Sequence, residues 1–248
     1  MSRREGDLVS AMREGMRAGI TPLTPLGALL QDGVLEIFTP RGIILGLHAG
    51  PPDAVGGALL VGGALGGFSG PGGTVYRDVG ARLADEGVAS LRLHYRRPGD
   101  VAECAMDVLL AMEWWKARGV ASAVIAGHSF GGAVAIAGGI LIPEIAGVVG
   151  LASQTAGTEG VEHMAGKPLL LIHGDADPVL PAICSENIYS RAREPKELVI
   201  IPGCGHLMSE AVEEIVERVT TFACHVLSPP QPQEDAAKEE PGAGPSNL

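Results

Sequence analysis

The segment Gly127-His128-Ser129-Phe130-Gly131-Gly132 sets a hydroxyl between two glycines, each two residues away from it. It follows the apolar run Ala121–Ala126 and precedes a run of small residues, Ala133–Leu141, stopped by Pro143. In a strand–turn–helix setting, G-x-S-x-G is a candidate nucleophile elbow. So tight a turn strains the serine and projects its oxygen above the sheet. Side chains two positions away would collide, which is why glycine stands at Gly127 and Gly131. The helix start also aims backbone amides at the place where negative charge would develop. The chemistry this suits is attack on an acyl carbon, and a neutral serine needs a base within hydrogen-bond reach to do it.

Two later segments offer the partners. His173-Gly174-Asp175-Ala176-Asp177-Pro178-Val179-Leu180-Pro181 follows the apolar run Pro168–Ile172. Gly203-Cys204-Gly205-His206 follows Leu198–Ile201 and opens the last helical pattern. Histidine is the side chain best matched to general-base work near neutral pH. A carboxylate would orient the imidazole and stabilise its cation. Spacing alone leaves Asp175 and Asp177 both open for that task. His128 is expected to point away from the Ser129 oxygen, and His173, before a tight glycine turn, reads as structural. Cys204, two residues before His206, is expected at the edge of the site.

The elbow, the H-G-x-x-D-x-V-x-P loop and the G-x-G-H segment together resemble the α/β-hydrolase family. The likeness is strongest to its small members without a cap domain, near the dienelactone-hydrolase-like group. It covers residues 34–226. The resemblance implies Ser129 as nucleophile, Asp177 as the acid and His206 as the base, in the family's chain order. It favours Asp177 because that residue matches the aspartate of the loop pattern. Dienelactone hydrolases proper carry cysteine where this chain has Ser129, so ester chemistry is favoured over lactone cleavage. The resemblance also implies an oxyanion hole with one donor at the Phe130 N–H. The second would come from the loop Gly62-Gly63-Ala64-Leu65-Gly66-Gly67-Phe68, with Ala64 preferred to Leu65. Many members have His-Gly where this chain has Gly62-Gly63, but a backbone donor survives that change.

Other residues are candidates for substrate contact. Leu65, Phe68, Tyr76, Leu207 and Met208 suit an acyl pocket, with core packing as the competing reading. Arg96 and Arg97 follow the strand-like run Val88–Leu93, and loops after strands share an edge with the site. One of them could attract a carboxylate-bearing substrate; the alternative is a surface ion pair with Asp100 or Glu103. The glycine loop has no G-K-[ST] and no clean G-x-G-x-x-G with an acidic partner, so no nucleotide cofactor is expected. No metal site is expected either.

These residues need a frame, and the chain alternates strand and helix patterns. Val34–Phe38 and Gly42–His48 read as a hairpin. Ala58–Val61 is apolar throughout, as a strand buried on both faces should be. Val75–Glu86, Val101–Arg118 and Met208–Val226 carry helical apolar spacing, while Val88–Leu93 and Ile145–Leu151 read as strands. The expected architecture is α/β: an α/β-hydrolase fold with a mostly parallel sheet of about eight strands and helices on both faces. Residues 152–167 leave no room for a cap domain. The expected division is an N-terminal extension at 1–30, the hydrolase domain at 31–227, and a disordered acidic, proline-rich tail at 228–248. Within the extension, Leu8, Met12 and Met16 have helical spacing.

The 248 residues suffice for one large domain. A net charge of −11 argues against nucleic acid as a partner. No apolar region follows Met1–Gly19 to make a secretory signal, and no run is long enough to span a membrane, so a cytoplasmic protein with reduced cysteines is expected. The function expected is hydrolysis of a small carboxylic ester through an acyl-serine. Thioester, amide or short-peptide hydrolysis would use the same residues, as would a cofactor-free perhydrolase. A non-catalytic binding protein of the same fold is the alternative from another class.

Overall fold

The computed structural model describes residues 25–164 and 166–228. Among these residues nine strands form one sheet, in the order β1-β2-β3-β5-β4-β6-β7-β8-β9. The strands are β1 Gly27–Gln31, β2 Val34–Thr39, β3 Gly42–Ala49, β4 Gly56–Val61, β5 Ala89–His94, β6 Ser122–His128, β7 Ile145–Leu151, β8 Leu169–Gly174 and β9 Lys196–Ile201. The first three strands and β5 pair antiparallel, and from β5 through β4 to β9 every pairing is parallel. The parallel strands are the most apolar. All residues of β4 and β8 are buried, as strands covered on both faces require.

Five α-helices cover the sheet among the described residues: α1 Val75–Asp85, α2 Val101–Lys116, α3 Phe130–Leu141, α4 Ile183–Arg191 and α5 Val212–Leu227. Helices α2, α3 and α4 pack on one face, around Trp115, Ile125, Ile136 and Ile188. Helices α1 and α5 pack on the other, around Val79, Leu83, Val149 and Val216. Helix α5 buries Ile215, Val216, Val219 and Ala223, one stripe at helical spacing. Asp100 caps α2, its side chain accepting the Glu103 N–H at 3.1 Å. No helix of the described residues is long and apolar enough to cross a membrane.

Three elements depart from the sequence reading. Strand β1 begins at Gly27 and pairs with β2 along its length, so residues 27–30 extend the sheet instead of preceding it. Every residue of β1 is exposed, so burial leaves no periodic mark there. Helix α4 carries no clear apolar stripe either, since it buries just Ser185 and Ile188. The last helical pattern splits at its start into a short 3-10 turn, Ser209–Ala211, before α5. The helical spacing at Leu8–Met16 and the tail from residue 229 lie outside the described residues.

Candidate active site

Ser129 sits between β6 and α3 with φ 58° and ψ −117°, a backbone conformation that side-chain-bearing residues seldom adopt. The turn is held by Ser129 N–H donating to Leu151 O at 2.8 Å and by Gly132 N–H donating to Ser129 O at 3.0 Å. Glycine is compulsory on both sides. A Cβ on Gly127 would lie 1.9 Å from Gly131 O, and one on Gly131 would lie 2.4 Å from Gly62 O. The second contact shows how closely the elbow meets the end of β4.

The loops after β8 and β9 bring the other two groups to Ser129. His206 Nε2 lies 3.1 Å from Ser129 Oγ, and His206 Nδ1 lies 2.7 Å from Asp177 Oδ2. An ionised carboxylate only accepts, so the proton sits on Nδ1 and Nε2 faces the serine as an acceptor. Asp177 Oδ1 accepts the N–H groups of Val179 and Leu180 at 2.7 and 2.8 Å. Burial alone would raise the Asp177 pKa. The Leu180 N–H, the His206 ring and the Val179 N–H outweigh burial and hold it below the ordinary carboxylate value.

Asp175 has a different task. Its carboxylate accepts the Gly203 N–H at 2.6 Å. Ala176 N–H donates to Cys204 O at 3.1 Å, and a Cβ on Gly174 would lie 1.9 Å from the same oxygen. The acid loop and the histidine loop are thus laced together by backbone contacts. His173 is fully buried beneath them. Its Nε2–H donates to Leu180 O at 2.8 Å and lies 3.3 Å from Asp177 Oδ2, while Nδ1 accepts from Ser185 Oγ at 2.7 Å. Cys204 is also fully buried, so it lies under the loop and not at the edge of the site; burial, followed by the nearby Glu210 carboxylate, pushes its thiol up to about 11.

The loop after β4 passes beside the elbow. A Cβ on Gly63 would lie 3.8 Å from Ser129 Cβ. Gly66 N–H donates to Gly63 O at 2.9 Å, closing a turn with Ala64 and Leu65 at its tip. Carbonyl and following N–H point opposite ways across a trans peptide, so the Ala64 N–H faces out of this turn. Two buried tyrosines grip the carbonyls just before it. Tyr76 Oη donates to Val61 O at 2.7 Å from one face of the sheet, and Tyr95 Oη donates to Gly62 O at 3.1 Å from the other. Sequence reasoning gave Tyr95 no role; its place directly after β5, the parallel neighbour of β4, was the available signal.

The remaining candidates divide. Leu65 and Leu207 stand 90% and 65% exposed on the loops flanking Ser129. Phe68 packs against the His94 ring, and Tyr76 and Met208 belong to the core. Arg96 turns inward, away from any substrate: its side chain is 3% exposed and pairs with the buried Asp107 and, at 3.4 Å, with Glu103. Its backbone N–H also donates to Asp107 at 2.8 Å. A carboxylate on the neighbouring helix thus captures the guanidinium that the sequence reading offered to a substrate. Arg97 is exposed.

A mostly parallel sheet with helices on both faces, carrying a strained serine after the central strand β6, an acid after β8 and a histidine after β9, decides the fold. It is that of the α/β-hydrolases. Solved α/β-hydrolase structures superpose over most of the chain. Est1E from Butyrivibrio proteoclasticus matches with TM-score 0.62 at 19% identity, covering 80% of this chain and 97% of that one. A serine hydrolase homologue from Coxiella burnetii matches with TM-score 0.65 at 19% identity over 79% and 99%. Dienelactone hydrolase from Anabaena variabilis matches with TM-score 0.64 at 20% identity over 79% and 96%. No family model matches the chain. The uncharacterised protein YfhR of Escherichia coli is 40% identical over 77 residues, which is 30% of this chain and 27% of that protein. The uncharacterised Rv2307c of Mycobacterium tuberculosis is 31% identical over 150 residues, which is 48% of this chain and 53% of that protein. The matched part therefore spans 27% to 53% of these curated relatives.

Proposed function

We propose that this chain is a serine hydrolase cleaving a small carboxylic ester through an acyl-serine intermediate. The observation that carries the reading is the continuous hydrogen-bonded path from Asp177 Oδ2 through His206 to Ser129 Oγ. Ser129 Oγ attacks the ester carbonyl carbon as its proton passes to His206 Nε2. Asp177 stays ionised and stabilises the imidazolium. The N–H groups of Phe130 and Ala64 receive the charge on the former carbonyl oxygen, each worth on the order of 3 kcal/mol in the transition state. Collapse expels the alkoxide, which takes the proton from Nε2 and leaves the acyl group on Oγ. Water then attacks, its proton going to the same nitrogen. The second tetrahedral intermediate releases the carboxylic acid and returns the proton to Ser129.

Leu65 and Leu207 are the proposed contacts for the apolar part of the substrate. Arg97, exposed after β5, is the proposed cation for an anionic substituent. The ester reading is supported by the esterases among the structural neighbours. One of them, Est1E, has been solved with ferulic acid bound, a carboxylic acid of the product class that ester cleavage gives.

The test is hydrolysis of p-nitrophenyl acetate, butyrate and octanoate by wild type and by Ser129→Ala. Turnover that depends on Ser129 is expected, and the chain-length trend sizes the acyl pocket. No turnover, together with no labelling of Ser129 by a fluorophosphonate, would sink the proposal and favour a binding protein of the same fold.

A further inference from the structure

His128 ends β6 one residue before Ser129, and the proposed cycle gives it no part. The residue is 8% exposed. Its Nε2 lies 2.9 Å from the backbone carbonyl oxygen of His206. A carbonyl only accepts, so Nε2 carries the proton. The two imidazoles lie 4.9 Å apart with planes at 43°. On the other side, a Cβ on Gly63 would lie 3.8 Å from His128 Nδ1. One buried ring therefore bonds the histidine loop and lies beside the loop after β4. Burial pushes this imidazole down to about 4, against the pull of its hydrogen bond to the His206 carbonyl. It is neutral near neutral pH and sets no second cation beside the His206 imidazolium.

His206 needs such a neighbour. Asp177 and Ser129 hold it by its ring nitrogens, at the far end of a side chain. Its backbone carbonyl is the point nearest the ring at which the elbow holds the chain. Among the described residues, His128 is the hydrogen-bond donor to this carbonyl. The next residues in the loop are tied elsewhere: Leu207 O accepts the Gly72 N–H, and Met208 N–H donates to Gly205 O at 3.0 Å. Proton transfer to Nε2 depends on the serine–imidazole distance, and a misplacement of about 1 Å costs on the order of 100-fold in rate.

We propose that His128 is a positioning residue whose Nε2–H clamps the His206 backbone to the elbow and so sets the distance between Ser129 Oγ and the imidazole. This rests on the serine-hydrolase reading above. It predicts that the donor at Nε2 matters, beyond the volume of the ring.

The experiment compares wild type, His128→Phe and His128→Gln. Phenylalanine keeps the planar bulk and removes the donor. The glutamine amide reaches the position of Nε2 and restores it. The readouts are the second-order rate of Ser129 labelling by a fluorophosphonate, and kcat and KM for p-nitrophenyl acetate per titrated site. His128→Phe is expected to label ~10- to 100-fold more slowly, with kcat falling in proportion and KM changing by less than ~2-fold. His128→Gln is expected to recover most of the loss. A ring needed just for packing would lower the melting temperature and leave the rate per titrated site unchanged, and that result overturns the proposal. So does a His128→Gln protein as slow as His128→Phe. If His128→Phe does not fold, His128→Asn takes its place, because its amide is too short to reach the carbonyl; equal rates for Asn and Gln then overturn the proposal. A wild-type protein that fluorophosphonate does not label overturns the serine-hydrolase reading, and this inference with it.

Discussion

A Cβ added to Gly127 or Gly174 would lie 1.9 Å from a carbonyl oxygen, whereas one added to Gly27 would meet nothing within 4 Å. The first two glycines lie at the carboxyl ends of parallel strands, and the third lies in the antiparallel ribbon β1–β3. At the site end, backbone packs on backbone with no side chain between. In the ribbon, Leu29, Leu30 and Val34 remain 41–48% exposed; Leu35, Ile37 and Ile44 of β2 and β3 reach the core, but the outermost strand β1 buries no side chain. The same sheet therefore has one end that fixes atoms closely and one edge that does not. Position in the sheet, more than residue type, decides what a substitution does.

The largest effect expected separates two carboxylates in one loop. Asp177→Asn should lower kcat on p-nitrophenyl acetate about 10³- to 10⁴-fold, since the His206 tautomer is no longer fixed. Asp175→Asn should cost less than ~10-fold, because it loosens the Gly203 tie and leaves the ring contacts in place. Equal losses would mean that the loops, and not the Asp177 contact, carry the effect.

Next in size is the glycine contrast. Gly127→Ala should destabilise the fold by ~3 kcal/mol or more, since the end of β6 and the first turn of α3 would have to separate. Gly27→Ala should change stability by no more than ~0.5 kcal/mol. Urea denaturation of the two variants measures the difference between the two regions directly. Tyr95→Phe should come third. It leaves Gly62 O buried without the phenol and should cost ~1–2 kcal/mol of stability, with a several-fold fall in kcat.

The smallest effect is in acid. The Asp177 carboxyl titrates below its ordinary value, so the unfolded chain takes up this proton first as pH falls. Its contribution to stability is complete above the unfolded pKa of about 3.9 and is lost as pH drops through the folded value. The stability gap between wild type and Asp177→Asn should therefore narrow as pH falls below about 5, through the unfolded and then the folded value. A gap that widens on acidification would mean that the folded carboxyl titrates above its ordinary value.

The site end was also the more legible part of the sequence. Buried parallel strands print as unbroken apolar runs, and obligatory glycines print as motifs. Hence β4, β6, β7 and β8, and the grouping of Ser129, Asp177 and His206, could be read from residue order. Strand β1 and helix α4 could not, because neither buries enough to leave a period. Arg96 follows the ion-pair reading with Glu103, but its main partner went unread. Its partner Asp107 is a charged residue fully buried on α2, and a buried ion pair looks in sequence like two surface charges. His128 was expected to turn from the serine. Its Nε2 meets the His206 carbonyl, a partner on a loop 78 residues further along the chain that no local pattern announces.

The lacing of the acid and histidine loops has a mechanical consequence. Asp177 and His206 ride on a single body, riveted at Gly174–Cys204 and Asp175–Gly203, and Ser129 rides on another. Thermal breathing then leaves the carboxylate–imidazole contact nearly rigid. Relative motion of the two bodies then falls on the seam between them, spanned by the Oγ–Nε2 contact and by the His128 bond to the His206 carbonyl, which is also where the proton has to cross.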